Sequence, residues 1–357
     1  LSFDFSRVRP AGARLHTMGG RSSGPAPLRA LFDFARHTIL AAQGRRLRNI
    51  ELHDIICRIG DVVERGGVRR AALISLSDFD DEEMREAKMG HFYLTHPQRA
   101  MANNSAVFEA RPKATEFLQE WLDLARGGTG ERGIFNRGGL ARQLPARRWP
   151  TFQEYWQTSG TNPCGEIILR SKQFCNLTEV VARPEDTEAT LRAKIRLAAI
   201  LGTYQAMLTD FPYLSPEWRR NCEEERLLGV SITGQWDAPA VRRPEVLTRL
   251  RDEAVETNRR YAERFGVRAG TAVTCVKPSG TVSQLVDAAS GMHPRYAKYY
   301  IRRIRISAND PLFLMLRDQK LPYYPETGQE RATAATFVLE FPVRAPKDCV
   351  TWKDLTA

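Results

Sequence analysis

Hydrophobic positions follow two alternating periods along this chain. Leu28, Leu31, Phe32, Ala35, Ile39 and Leu40 keep three-to-four spacing and predict a helix from Leu28 to about Gly44, entered through Ser22-Ser23-Gly24-Pro25. Ile55, Ile56, Ile59, Val62 and Val63 predict a second helix from Leu52 to Glu64, which Gly66-Gly67 ends before a strand over Val68 to Ser75. Residues 78–90 and Ala114 to Leu124 repeat the helical pattern, and long helices are predicted over Ala189 to Leu208 and Glu245 to Phe265. Short apolar runs stand between and after them. Leu227 to Thr233, Thr271 to Val276 and Thr336 to Phe341 read as strands, and the opening stretch to about Gly24 reads as a strand followed by a Gly/Ser loop. Strands alternating with long helices make the fold class α/β with a largely parallel sheet. No linker, internal repeat or low-complexity segment interrupts the 357 residues, which suit one large α/β barrel domain.

Composition narrows the class. Hydrophobic residues make up 42%, enough for a core, and no run of about 18 apolar residues predicts a membrane helix. The start, Leu1-Ser2-Phe3-Asp4-Phe5, lacks the basic-then-apolar order of a signal peptide and an initiator Met, so the chain is expected to be a piece of a longer polypeptide. Cys57, Cys164, Cys175, Cys222, Cys275 and Cys349 are sparse and form no C-x-x-C pair. That spacing predicts reduced thiols in a cytoplasm, with neither a disulfide scaffold nor a metal site. The formal net charge of +11 favours polyanions. Its arginines are scattered, however: Arg45-Arg46, Arg147-Arg148, Arg242-Arg243 and Arg302-Arg303-x-Arg305 are the densest groups. Such scatter argues against a nucleic-acid-binding protein, which needs a contiguous basic patch.

Three segments carry candidate chemistry. In Asn162-Pro163-Cys164-Gly165-Glu166, proline and glycine exclude regular structure and predict a tight exposed loop. If the loop is extended, its alternating spacing places Asn162, Cys164 and Glu166 on one side. That side would offer an amide that orients a hydroxyl, a sulfur, and a carboxylate that accepts a proton. A cysteine packed beside a solvated glutamate would read the same way. Cys175, in Phe174-Cys175-Asn176-Leu177, is expected at the start of a buried element. It is either a small hydrophobe or, with a second thiol, a two-electron donor. In Val276-Lys277-Pro278-Ser279-Gly280-Thr281-Val282-Ser283 a strand runs through a Gly/Ser/Thr turn into a helix. That is either a phosphate-binding arrangement or a generic turn, and it lacks Walker A spacing.

The segment Thr161 to Ile167, with Phe174 to Leu177, resembles the finger loop and following strand of ribonucleotide reductase large subunits. Val276 to Ser283 is similar to that family's substrate-phosphate loop. Gly66-Gly67-Val68-Arg69-Arg70-Ala71, Met101-Ala102-Asn103-Asn104-Ser105 and Ser22-Ser23-Gly24-Pro25 resemble three further family segments, in the family's order. Gly291-Met292-His293-Pro294-x-Tyr296, Tyr300 to Arg305 and Arg7-Val8-Arg9-Pro10 look like the monomeric adenosylcobalamin-dependent class, which reduces ribonucleoside triphosphates. The resemblance implies part of a ten-stranded α/β barrel with a finger loop. It implies a thiyl radical on Cys164, with Glu166 as base, Asn162 as orienting amide and Cys175 as reductant. It further implies substrate contacts at Ser23, Lys277, Pro278, Ser279, Gly280 and Thr281. Adenosylcobalamin as cofactor, deoxynucleotide effectors and a thioredoxin-like reductant follow from it as well.

The sequence also departs from that pattern. The family's redox partner for Cys175 lies upstream of the Arg7–Pro10 motif, and the C-terminal cysteine pair is missing. Cys57 is the nearest substitute by order, but it sits among core-like helix neighbours. A diiron-partnered diphosphate reductase and a catalytically incomplete nucleotide-binding fragment are the alternative readings.

Overall fold

The computed structural model describes the chain except residues 1, 17–21, 65–70, 309, 328, 335 and 356–357, and the side chains of Val63, Glu64 and Thr281. Gly66 to Arg70, and with them the predicted strand start at Val68, therefore lie outside the described residues. The chain packs as two compact units: Leu1–Phe135 with Ile301–Val343, and Asn136–Tyr300 with Arg344–Ala357. The divisions fall within or beside strands, so no change in composition marks them.

In the first unit, α1 (Ala26–Ala41) and α2 (Asn49–Glu64) match their predicted periodicity. Strands β1 (Leu73–Asp78) and β2 (Ala102–Phe108) pair in parallel from Leu73↔Ala102 to Asp78↔Val107. The opening residues do not form the predicted strand. Their alternating phenylalanines clamp a helix instead: Phe3 stacks on Phe32 at 4.2 Å and Phe5 lies 5.9 Å from the same ring. Residues 78–90 give only a five-residue helix, Glu82–Glu86, capped by the Asp81 side chain. Cys57 is buried in α2 against the His53 ring. Burial opposes charge on His53, yet Asp54, Cys57 and Asn104 together raise its pKa to about 9.

In the second unit, β3 (Asn176–Val181) and β4 (Leu228–Thr233) pair in parallel from Asn176↔Leu228 to Val181↔Thr233. Residues 272–275 extend along the other side of β4. They are tied to it by Leu228 N–H to Ala272 O (3.0 Å), Val230 N–H to Val273 O (2.8 Å) and Cys275 N–H to Val230 O (3.1 Å). Helices α3 (Glu188–Gln205) and α4 (Pro244–Arg264) cover one face, around Val180, Leu191, Ile195, Leu228, Val230 and Leu250. This parallel, helix-covered arrangement is the α/β class that the sequence predicts.

Side chains alternate along a strand, so the residues between those core positions face the opposite way. Leu177, Cys275 and Ile167 converge there on Gly229, where a Cβ would lie 2.5 Å from Leu177 Cδ2, 2.9 Å from Cys275 Sγ and 3.0 Å from Ile167 Cδ1. Gly229→Ala is accordingly expected to destabilise the protein by about 1–3 kcal/mol in urea unfolding. An unchanged midpoint would show that these neighbours yield freely.

Candidate active site

The cysteine loop is closed by its own asparagine. Gly160–Thr161 pairs antiparallel with Ile168–Leu169, in register Gly160↔Leu169 and Thr161↔Ile168. Between them, Asn162 N–H donates to Ile167 O at 3.0 Å and Gly165 N–H to Asn162 O at 2.9 Å. Ile167 N–H donates to Asn162 Oδ1 at 2.9 Å. The Asn162 carboxamide thus spends its oxygen on the loop and keeps its Nδ2 donors. Gly165 turns the chain at φ +83°, in the left-handed region, with no other atoms within 4 Å of where a Cβ would stand.

That turn changes the expected geometry. The loop is folded, not extended, so Cys164 and Glu166 do not simply share a side by alternation. Cys164 lies exposed at the tip, whereas the Glu166 side chain is fully buried. Lys277 links them: its Nζ lies 2.5 Å from Glu166 Oε1, and its ammonium also feels Cys164 electrostatically. Glu166 Oε2 is buried with no hydrogen-bond partner among the described residues. A buried carboxylate oxygen left unpaired is costly, and it marks an acceptor position for a ligand hydroxyl.

Behind the loop, Cys175 directly precedes β3; the expected element is there, but it is mostly half-buried, with only Val180 fully so. Burial, assisted by Glu166, pushes its thiol up to about 11. Cys275 is pushed to about 12 by burial, with Glu166 and Cys175 adding to it. Both sulfurs are therefore protonated at neutral pH. Sequence reasoning did not place Cys275 at the site. Its backbone position beside β4 brings it there, and a lone cysteine gives no sign of that.

Sequence reasoning also missed the hub that holds the segments together. Helix Pro216–Glu225, entered through Ser215 with proline in its first turn, ends in Glu225, which is fully buried. Glu225 binds Arg148 at 2.8 and 3.1 Å, Gln173 Nε2 at 2.7 Å and Thr271 Oγ1 at 3.1 Å, with Arg170 at 3.3 Å. Arg148 in turn donates to Ile168 O at 2.9 Å. One carboxylate therefore ties together the flank of the cysteine loop, the approach to Cys175 and the start of the segment that leads to Lys277. The Ser215-Pro216 pair was a legible helix start, but nothing in the acidic run 223–225 marks its last member as buried.

The second predicted segment forms a turn before the five-residue helix Thr281–Leu285. Ser279 is buried, and its hydroxyl accepts Ser283 N–H at 3.2 Å. Pro278 is partly buried, while Gly280 is exposed with open space where a Cβ would stand. Gly291 fits tightly beneath this turn, since a Cβ there would lie 2.5 Å from Lys277 O. Ser290 Oγ donates to Ser279 O. The 291–296 motif therefore supports the turn from below. Ser23 belongs to the first unit, in a bend where Ser22 Oγ accepts Gly24 N–H at 3.1 Å. Cys57 also lies in that unit.

The chain belongs to the ribonucleotide reductase family, to which it is related over nearly its whole length. The relatives found in particular are adenosylcobalamin-dependent ribonucleoside-triphosphate reductases. That of Lactobacillus acidophilus is 31% identical over 380 residues, covering 97% of this chain and 49% of the relative. That of Lactobacillus leichmannii is 30% identical over 383 residues, again covering 97% and 49%. The crystal structure of a B-12 dependent (class II) ribonucleotide reductase superposes with a TM-score of 0.69 at 28% identity, over 94% of this chain and 49% of its own. The chain spans about half the length of the curated relatives it matches. No family model matches it.

Proposed function

We propose that this chain carries the radical and substrate-binding centre of an adenosylcobalamin-dependent ribonucleoside-triphosphate reductase. In the full-length protein it would convert ribonucleoside triphosphates to 2′-deoxyribonucleoside triphosphates. One observation carries the reading: a buried Glu166 with one oxygen on Lys277 and the other unpartnered among the described residues, two residues from an exposed cysteine.

Adenosylcobalamin fits the open tip. Cys164 is exposed and Gly165 leaves the space beside it clear, so these two residues would face a large group arriving from outside. When bound, it supplies a radical by homolysis of its cobalt–carbon bond. Cys164, as a thiyl, takes the ribose 3′ hydrogen atom. Glu166 Oε2 accepts the 3′-hydroxyl proton, and the Asn162 Nδ2 donors hold the ribose hydroxyls. The 2′-hydroxyl leaves as water with a proton from one of the two reducing thiols, the other thiol hydrogen goes to C2′, and Cys164 finally returns its hydrogen to C3′. Those thiols, Cys175 and a second one, supply two electrons and become a disulfide. Substrate phosphates would rest against Lys277, Pro278, Ser279, Gly280 and Thr281. Holding sulfur and carboxylate in reacting geometry is where much of the rate gain would arise.

The same reading brings deoxynucleotide effectors, a thioredoxin-like reductant, a monomeric state and a cytoplasmic setting. No helix among the described residues is long and apolar enough to cross a membrane. The test is single turnover of the full-length protein with adenosylcobalamin and a ribonucleoside triphosphate, without added reductant. One deoxyribonucleotide should form for each pair of thiols oxidised, and Cys175→Ser should yield no disulfide. Absence of product from the unsubstituted protein would sink the reading.

A further inference from the structure

The sequence presents Lys277 as one residue of a phosphate-binding turn, yet its ammonium is already committed. It lies 2.5 Å from Oε1 of a fully buried carboxylate and is itself only 23% exposed. Burial disfavours the lysine charge, but Glu166, followed by Cys164, more than offsets this and raises the pKa above its ordinary value. Other buried cations of this unit are held elsewhere: Arg148 by Glu225, Arg170 by Glu224, and Arg295 by Asp237 and Asp287. The ionisable groups that interact with Glu166 are Lys277, Cys175 and Cys275, with Cys164 beside Lys277 and Glu179 beyond Cys275. Cys175 and Cys275 are uncharged at neutral pH, so among the described residues Lys277 is its ion-pair partner.

We infer that Lys277 is a positioning residue for the proposed base: its ammonium pairs with Oε1 of Glu166 and leaves Oε2 as the acceptor offered to the ribose. The phosphate turn and the thiol loop are then one electrostatic unit. This rests on the reading of Glu166 as base.

Infrared difference spectra of the full-length protein against its E166Q variant, recorded across pH, isolate the Glu166 carboxyl band without needing turnover. The same difference is then taken between K277Q and the E166Q/K277Q double variant. Loss of a cation at hydrogen-bond distance should raise the protonation midpoint by at least about one pH unit, a tenfold change in proton affinity. K277R should return most of that shift, and the acid limb of kcat/KM should follow it. Equal midpoints with and without Lys277 overturn the inference, as does a K277Q variant whose KM rises while the acid limb stays in place. Should K277Q fail to fold, the cause is expected to be a buried charge left alone, which adding E166Q relieves. A double variant as unfolded as K277Q would also overturn it. Turnover surviving in E166Q would instead remove Glu166 as the base, while the infrared shift still reports on the ion pair.

Discussion

Cys164→Ser in the full-length protein is expected to reduce deoxyribonucleotide formation to background while leaving nucleotide binding and folding nearly unchanged. The expectation separates chemistry from structure because of where the residue sits. Cys164 is exposed at the tip of a turn, so exchanging sulfur for oxygen removes no packing. Exposed substitutions of this kind shift stability by about 0.5 kcal/mol or less. The turn itself is closed by Asn162 and Gly165, through the Asn162–Ile167 and Gly165–Asn162 hydrogen bonds, and these do not involve the sulfur. A serine hydroxyl holds its hydrogen too strongly to serve as the radical carrier. Equilibrium binding of a ribonucleoside triphosphate and product analysis on the same preparation check both halves. Substantial product from this variant would remove Cys164 from the mechanism.

Glu225→Ala should have the largest effect on stability, about 3–5 kcal/mol, because it leaves Arg148 and Arg170 buried without their common partner. The effect should also depend on pH. Burial pushes the Glu225 carboxyl up, but Arg148, Gln173 and Arg170 outweigh it and hold the folded-state pKa below its ordinary value. A carboxylate depressed on folding contributes stability above its unfolded pKa, and that contribution is lost as pH falls through the folded value. The gap between the parent protein and Glu225→Ala in urea unfolding should therefore be widest at neutral pH and shrink under acid. A gap that stays constant down to the acid limit would show that the carboxylate charge is not what holds the hub.

Much of this was legible along the chain. Periodicity located the long helices within a few residues, since a wide apolar stripe such as Leu191, Ile195 and Ala199 is required wherever a helix covers a sheet. The cysteine loop was readable because proline and glycine flank the reactive residues. Its shape was not, because Gly165 at positive φ converts alternation into a turn that divides an exposed sulfur from a buried carboxylate. Strand Tyr299–Ser307 was also missed as a strand, since arginines at 302, 303 and 305 break up its apolar pattern. Glu225 and Cys275 owe their importance to partners about 50 to 100 residues away, which no local pattern encodes. The clamp of Phe3 and Phe5 on Phe32 shows the converse, an alternating pattern used for a helix contact instead of a ladder.

The raised pKa of the Cys175 thiol bears on survival as well as on catalysis. Peroxides and other oxidants attack the thiolate, and burial that pushes the thiol up to about 11 leaves very little of that form near neutral pH. If Cys175 is the reductant proposed above, the burial that keeps the hydrogen on its sulfur also guards that reducing equivalent from stray oxidation. On that reading the reservoir stays charged until a radical, and not an electrophile, comes to draw on it.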